Sequence, residues 1–154
     1  MALFAALAFV PVTAADDFLD RLATCQTSWM DFKDDPVQKK KFAETFNAGY
    51  EPKGNDGSWT PKKTAMVIGL PVVRVYPESV GMGVGFSVVV DATFDKARAQ
   101  MEKTIGKSLK NCENSEGMHT CELQVAENRT VMLLTGDTGK TKTTMLGCYY
   151  FYAK

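Results

Sequence analysis

The first helical pattern lies in residues 15–30, where apolar side chains recur at the spacing of one helix face. Asp16 and Asp17 stand at its start, where the partial positive charge of a helix N-terminus favours acidic side chains. The apolar positions are Phe18, Leu22, Cys25 and Trp29. The segment is therefore predicted to be a helix with Cys25 on its inward face.

Two further segments have helical patterns. Between Asp35 and Gly49, the aspartate is a favoured N-cap, a proline follows at the first helical position, and Gln38 fits a capping-box partner. The apolar positions of this helix are Val37, Phe42 and Phe46. The third pattern covers residues 94–109, with Gly106 near its C-terminal end. Its stripe is formed by Phe94, Ala97, Met101, Ile105 and Leu109.

The other apolar segments have the composition of strands. Residues 65–76 are rich in β-branched side chains, and Gly69 and Pro71 within them indicate a bulge or a kink on an edge strand. Residues 81–92 predict a second strand with a glycine-rich start. Short polar turns separate three more strands, which predicts an antiparallel meander. These strands are predicted at residues 119–125, 130–135 and 142–152.

The order of these elements favours an α+β fold, because the helices are grouped rather than alternating with strands. Residues 51–63 are mostly turn-forming and are predicted to be a long loop that carries Trp59. We expect two N-terminal helices, then a mostly antiparallel sheet of about five strands with a third helix. The helices are expected to pack on one face of the sheet, in a single domain of residues 16–154.

Composition narrows the classes of partner. The chain has 154 residues, of which 45% are hydrophobic and 23% charged, and this suits one globular domain. Lys and Arg together number 18, the same as Asp and Glu, so no net positive charge attracts nucleic acid or anionic lipid. Nucleic acid is therefore not an expected partner.

Residues 1–15 have the pattern of a secretory signal peptide. An uncharged apolar run is followed by Pro11 and by small residues suited to a cleavage point, although no Lys or Arg precedes the run. The run is shorter than the roughly 20 apolar residues that span a membrane. We therefore expect a periplasmic or secreted protein with no transmembrane segment in its mature chain.

Four cysteines, an even number, indicate two disulfides in an exported chain, with three alternative pairings. The favoured pairing joins Cys112 to Cys121 and Cys25 to Cys148. Loop entropy predicts a contribution of about 3 kcal/mol or less from the short loop and about 4 to 5 kcal/mol from the long one. The spacing is not that of a redox-active C-x-x-C pair, so structural disulfides are the favoured interpretation.

His119 is the single histidine and the main candidate for acid–base or metal chemistry. As an acid or base it would need a carboxylate such as Glu116 or Glu122, and no nucleophile motif accompanies it. The spacing of His119 from the flanking cysteines matches no common zinc pattern, while the adjacent Met118 suits Cu(I). An enzyme and a copper carrier stay as alternatives, and no cofactor is predicted.

Three other motifs have simpler interpretations. Residues 135–144 contain a Gly-Lys-Thr triplet, but Leu134 takes the place of the first Walker glycine and a strand follows instead of a helix. The glycines of residues 81–85 lead into a strand, which indicates a bulge or a close backbone approach rather than nucleotide binding. Asn128 begins a glycosylation sequon, which matters only in a eukaryotic source.

The last predicted strand contains four consecutive aromatic residues: Tyr149, Tyr150, Phe151 and Tyr152. Since side chains of a strand alternate between the two faces, two of these rings would lie on the face away from the helices. Exposed rings, together with Trp59, are typical of a contact surface. The alternative is that the rings pack across the sheet or lie under the loop that carries Trp59.

These features favour an exported, disulfide-stabilised binding protein, inhibitor-like, with a protein partner in the cell envelope or outside the cell. Binding would use the open sheet face and the segment 51–63. The layout of two helices before a helix-backed sheet resembles that of small bacterial envelope proteins that bind or inhibit other proteins, without a shared sequence motif.

Overall fold

The computed structural model describes residues 14–27, 34–77, 84–136 and 142–150. The helices in these ranges are α1 (Ala14–Ala23), α2 (Pro36–Gly49) and α3 (Phe94–Ile105). The strands are β1 (Tyr50–Lys53), β2 (Ser58–Pro61), β3 (Met66–Val67), β4 (Leu70–Tyr76), β5 (Val84–Val90), β6 (Asn111–Ser115), β7 (Met118–Ala126), β8 (Arg129–Gly136) and β9 (Thr144–Tyr150). The α+β class is confirmed, but these ranges contain nine strands rather than the five expected.

The strands form one antiparallel sheet in the order β1-β2-β4-β5-β9-β8-β7-β6, and β3 pairs with β4. The consecutive pairing of β7, β8 and β9 confirms the predicted antiparallel meander. At the centre of the sheet, fully buried members of the apolar core occupy every second position within β5 and β9. They include Phe86, Val88, Val90, Leu146 and Cys148. This alternation places the core on one face of the sheet.

Residues 51–63 form most of a hairpin, which corrects the prediction of a loop. Its strands pair from Tyr50 opposite Pro61 to Lys53 opposite Ser58. Gly54 and Gly57 supply positive φ angles of 68° and 73° in the connecting turn. The two strands are short, mostly polar and at the sheet edge, so they lack the apolar alternation that identifies a strand in a sequence.

Residues 65–76 contain two strands where one kinked strand was predicted. A tight turn at Ile68 and Gly69, with φ angles of 45° and 76°, separates β3 from β4. A positive φ is unfavourable for a β-branched residue. The backbone N–H of Ile68 donates to the Asp20 carboxylate of α1, and this contact with another element helps to hold the strained turn.

Helix α1 ends earlier than predicted. The chain leaves the helix after Ala23, and Cys25 lies beyond it with a left-handed φ of 60°. The Thr24 hydroxyl donates to the carbonyl oxygen of Asp20 at 2.7 Å, which satisfies a carbonyl of the last turn. Cys25 is therefore a residue of the turn after the helix, and Trp29 lies outside the described residues.

Helix α2 begins and ends where the sequence indicated. The Asp35 carboxylate accepts hydrogen bonds from the backbone N–H groups of Val37 and Gln38 at 2.8 and 3.2 Å, as expected of an N-cap. The predicted apolar stripe is only partly right, because Val37 is 74% exposed whereas Phe46 is buried. The N-cap position thus fixed the helix start more reliably than the apolar pattern fixed its buried face.

The placement of the helices also differs from the prediction. Helix α1 contacts β3, β5 and β9, and α3 contacts β8 and β9, whereas α2 contacts β1 at the edge of the sheet. The helices are therefore not one even layer over the sheet. Helix α3 ends at Ile105, earlier than the predicted residues 94–109, and the following Gly106 has the left-handed φ of 68° that is typical of a glycine after a helix.

Several predictions concern parts of the chain that lie outside the described residues. These are most of the signal-peptide segment, the start of the 81–92 strand, the Gly-Lys-Thr triplet, Phe151 and Tyr152. The extent of the domain, residues 16–154, stays a prediction.

Candidate functional site

The disulfide between Cys25 and Cys148 joins the turn after α1 to the central strand β9. Its Cα atoms are 5.1 Å apart, and the Cys148 side chain is fully buried. Arg129 of the neighbouring strand β8 adds a hydrogen bond of 3.1 Å from its Nη1 to the Cys25 carbonyl oxygen. The turn after α1 is thus held by one covalent and one polar link.

The disulfide between Cys112 and Cys121 crosses a hairpin at the opposite edge of the sheet. The two cysteines are directly opposed in β6 and β7, with Cα atoms 4.1 Å apart. Both disulfides therefore join the favoured pairs. The segment before His119 was predicted to be a helix-to-strand connection, but it contains the strand β6. All residues of β6 are exposed, so the sequence has no apolar alternation there that would indicate a strand.

His119 lies in β7, half-buried, with its ring stacked on Phe94 at the start of α3. The ring centroids are 4.1 Å apart and the planes differ by 18°. Glu122 is three residues further along the strand and therefore on the opposite face, and Glu116 lies in the β6–β7 turn with a φ of 49°. Among the hydrogen bonds and ion pairs of the described residues, none joins His119 to Glu116 or Glu122.

The two residues considered as metal ligands, Met118 and His119, do not point to a common site. Met118 and His119 are adjacent in β7, so their side chains point to opposite faces of the sheet. Within the described ranges, no group of three or more His, Cys, Asp or Glu side chains is placed to hold a metal ion. The stacked ring of His119 fits a packing role against α3.

Trp59 is part of the aromatic packing of the core. It lies in β2 opposite Val75 and is half-buried. Its ring meets that of Phe46 edge-on, with centroids 5.7 Å apart. Phe46 in turn stacks on Phe42 and Tyr50 at 4.2 and 4.9 Å. Of the two interpretations of Trp59, the structure favours the one in which the ring packs on the core.

Tyr149 and Tyr150 lie on opposite faces of β9, and each is only 7% exposed. Tyr150 belongs to the core cluster, while Tyr149 is buried outside it. Neither ring is displayed as expected from the sequence. Tyr149 is opposite Gly85 in β5, and this neighbour has no side chain to keep the ring away from the sheet.

Three apolar side chains lie side by side on the face of the sheet away from the core. Val89, Met145 and Leu134 are directly opposed in β5, β9 and β8, and each is half-buried. They alternate along their strands with fully buried core residues, which assigns them to the other face. We call these three residues the far-face row.

Beside the far-face row, the same face of the sheet has two small residues that are buried. Ser87 of β5 and Gly147 of β9 are opposed, and a Cβ atom at Gly147 would clash with the Phe86 carbonyl oxygen and lie 2.8 Å from the Ser87 Cα. The two strands therefore approach too closely for any side chain at Gly147. Ser87 is fully buried, and its hydroxyl finds no hydrogen-bond partner among the described residues.

Charged residues lie on either side of these apolar residues. Arg74 of β4 is opposite Val89, and Glu122 of β7 is opposite Met132, which neighbours the row in β8. The Arg74 guanidinium donates to the Tyr76 hydroxyl at 3.3 Å and lies 3.5 Å from the Asp56 carboxylate. The hydrogen bond to Tyr76 and the charge of Asp56 raise the pKa of Arg74, so this cation persists at every physiological pH.

Asp56, the partner of Arg74, is fixed by the hairpin turn between β1 and β2. Its carboxylate accepts hydrogen bonds from the hydroxyl and the backbone N–H of Ser58, the latter at 3.0 Å. These bonds, and then the charge of Arg74, lower the pKa of Asp56 despite an opposing effect of burial. A chain of fixed polar groups thus borders the far-face row on the β4 side.

Sequence reasoning missed the far-face row because its signal is weak. In β5 three valines follow one another, so the pattern does not tell which of them faces the core. In β9 the row residue Met145 is followed by Leu146, an equally apolar residue on the other face. Only the register between strands brings the three side chains together.

Comparisons with known proteins give no relative: no family model, no curated protein and no solved structure matches the chain. In the ranges that the structure describes, no helix is both long and apolar enough to cross a membrane.

Proposed function

We propose that the protein is an exported, disulfide-stabilised binding protein that contacts a protein partner through the far face of its sheet. The observation that carries this proposal is the far-face row, three adjacent and partly exposed apolar side chains on the face opposite to the core. Apolar residues gathered on a regular strand surface suit contact with a second protein surface.

The surroundings of the row support this proposal. Protein interfaces combine an apolar centre with a polar rim, and Arg74 and Glu122 provide charges of opposite sign on the two sides of the row. The buried side chains of α1, α2 and α3 belong to the core cluster on the other face. We therefore infer that the described helices do not cover the far-face row, although Ser87, Gly147 and Tyr149 on the same face are buried.

Two features support export. All four cysteines are paired in disulfides, and such bonds persist in oxidising compartments. The apolar segment at the N-terminus has the pattern of a signal peptide. Mass spectrometry of the protein purified from its host tests this part: we expect a new N-terminus near residue 16 and no free thiol.

The binding surface is tested by placing a charge within the row. Met145→Arg and Leu134→Arg should each abolish capture of the partner from an envelope or secreted fraction of the host, because a buried unpaired cation is strongly unfavourable in an interface. Circular dichroism establishes that each variant keeps its fold.

The matched control is Val37→Arg, which changes an equally apolar but 74% exposed residue of α2. This variant should capture the partner as the unaltered protein does. Undiminished capture by folded Met145→Arg and Leu134→Arg proteins would reject the far face as the binding surface.

A further inference from the structure

A cleft of about 210 Å³ lies on another part of the molecule, at the end of α1. Three separate segments line it: the turn after α1, the end of α3 and the connection between β7 and β8. Its polar lining includes Gln26, Thr104, Lys107 and Arg129, and its apolar lining includes Ile105 and Val125. None of these residues belongs to the far face discussed above.

The charge of this cleft is one-sided. Lys107 and Arg129 contribute two positive charges, and no carboxylate lines the cleft. Among the ion pairs of the described residues, neither cation has a carboxylate partner within 4.0 Å. Glu127, which precedes Arg129 in the same connection, is exposed and lies outside the lining. The cleft therefore carries an uncompensated positive charge.

Arg129 is held in a fixed position within the cleft. Its backbone is paired with Tyr150 in the sheet, and its Nη1 donates to the Cys25 carbonyl oxygen at 3.1 Å. Cys25 is itself fixed by its disulfide to Cys148. The bond to Cys25 uses one of the five N–H groups of the guanidinium. Because the half-buried side chain is already held in place, it loses little conformational entropy when it binds an anion.

The helix ends beside the cleft do not cancel this charge. C-terminal carbonyl groups carry partial negative charge, which would repel an anion. In α1 the Asp20 and Arg21 carbonyl oxygens accept hydrogen bonds from Thr24 and Thr27, and in α3 the Glu102 carbonyl oxygen accepts one from Gly106. These bonds satisfy some of the carbonyl groups at the two helix ends, and the two full positive charges of the lining exceed the partial negative charges of these ends.

We propose that this cleft binds a small oxyanion of the phosphate or carboxylate class, with the fixed guanidinium of Arg129 as its main ligand and Lys107 as the second cation. Planar guanidinium groups bind both kinds of oxyanion through paired hydrogen bonds. With a volume of about 210 Å³, the cleft has room for an ion larger than a single water molecule. It suits inorganic phosphate or a short dicarboxylate rather than a nucleotide.

The test is a titration of the full chain with inorganic phosphate and, separately, with succinate. Isothermal calorimetry and the NMR resonance of the Arg129 Nε–H group report binding. We expect saturable binding of at least one of the two ions, weakened by added salt, together with a shift of that resonance. The two arms show which oxyanion is preferred.

Three variants at single positions give the proposal its sharper test. Arg129→Lys keeps the charge but removes the planar fork and should weaken binding about tenfold. Lys107→Gln should weaken it about threefold, as expected for an exposed cation. The control is Lys103→Gln, which changes an exposed lysine in the last turn of α3 that does not line the cleft and should leave the affinity unchanged.

Two results would overturn the proposal. One is the absence of saturable binding for both ions at low salt. The other is an equal loss of affinity in Lys107→Gln and Lys103→Gln, because this would indicate a general charge effect instead of a cleft. Since Lys107 is exposed, its variant stays informative even if Arg129→Lys does not fold.

Discussion

The two disulfides fasten regions of opposite character. Cys25–Cys148 joins residues 123 positions apart and lies in the core, where Cys148 is fully buried. Cys112–Cys121 joins residues 9 positions apart and links the buried Cys121 of β7 to β6, the edge strand, in which every residue is exposed. We call the assembly of α1, β5, β9 and β8 the central region, and the pair of β6 and β7 the edge hairpin.

The difference between the two regions indicates which part of the fold unfolds cooperatively. The central region combines elements far apart in sequence, so each depends on the others for its burial. Among the described strands, β6 pairs only with β7, and its polar, exposed residues discourage pairing with other chains. Damage to the central region should unfold the whole structure, whereas damage to β6 should remain local.

The largest effect is expected from the double variant Cys25→Ala/Cys148→Ala. Release of a loop of this length costs about 5 kcal/mol by loop entropy, and most small proteins have only about 5 to 15 kcal/mol of stability in total. Urea unfolding followed by circular dichroism should show this loss. Thiol titration checks that the Cys112–Cys121 disulfide is intact. If this variant lost no more stability than Cys112→Ala/Cys121→Ala, the proposed difference between the central region and the edge hairpin would be wrong.

The second largest effect is expected from Gly147→Ala. A Cβ atom there would clash with the backbone of β5, which cannot move as a flexible side chain can, so we expect a loss of about 3 kcal/mol. Gly136→Ala is the control: it is also a glycine of the sheet, opposite Met118 of the edge hairpin, and a Cβ atom would meet nothing within 4 Å. Equal unfolding midpoints for the two variants would show that β5 and β9 are not held as closely as described.

The same two regions explain how far the fold could be predicted from the sequence. In the central region, β5, β8 and β9 were found because they are apolar and regular, and the N-cap at Asp35 located α2. The strands β1, β2 and β6 were missed because they are short and mostly polar, and they lie at or next to an edge of the sheet. An apolar pattern indicates burial, and these strands bury few apolar side chains, among them Tyr50 and Trp59.

The candidate sites were harder to predict than the fold. His119 and Trp59 attracted attention as rare residues, yet both pack against other aromatic rings. The far-face row and the cleft around Arg129 are formed by common residues that only the strand register and the turn after α1 bring together. Spacing within a single segment contains no information about such neighbours.

A smaller effect is expected from Cys112→Ala/Cys121→Ala. The loop is short, so its release costs about 2.5 kcal/mol by loop entropy. Hydrogen exchange should show faster exchange of the β6 amides and little change in β5 and β9. Equal acceleration in all these strands would mean that the edge hairpin unfolds together with the central region.

The smallest effect is expected at the link between the two regions, Glu102→Gln. The Glu102 carboxylate accepts hydrogen bonds from Arg98 Nε at 3.0 Å and from the backbone N–H of Leu109 at 2.9 Å, just before the edge hairpin. The hydrogen bond from Arg98, followed by that from Leu109, lowers the pKa of Glu102. At pH 7 we expect the variant to lose about 1 kcal/mol, since the amide retains the geometry without the charge.

The difference in stability between Glu102→Gln and the unaltered protein should disappear at low pH. A carboxylate whose pKa is lower in the folded protein stabilises the fold above its unfolded pKa, which is about 4.3 for glutamate, and the contribution disappears as the pH falls through the folded value. Urea unfolding at pH 7 and at successively lower pH should therefore show the two proteins converging. The control Glu44→Gln alters a largely exposed carboxylate 3.8 Å from Lys40 and should change stability by less than about 0.5 kcal/mol. A difference between Glu102→Gln and the unaltered protein that persisted at low pH would mean that the charge of Glu102 does not strengthen the link to the edge hairpin.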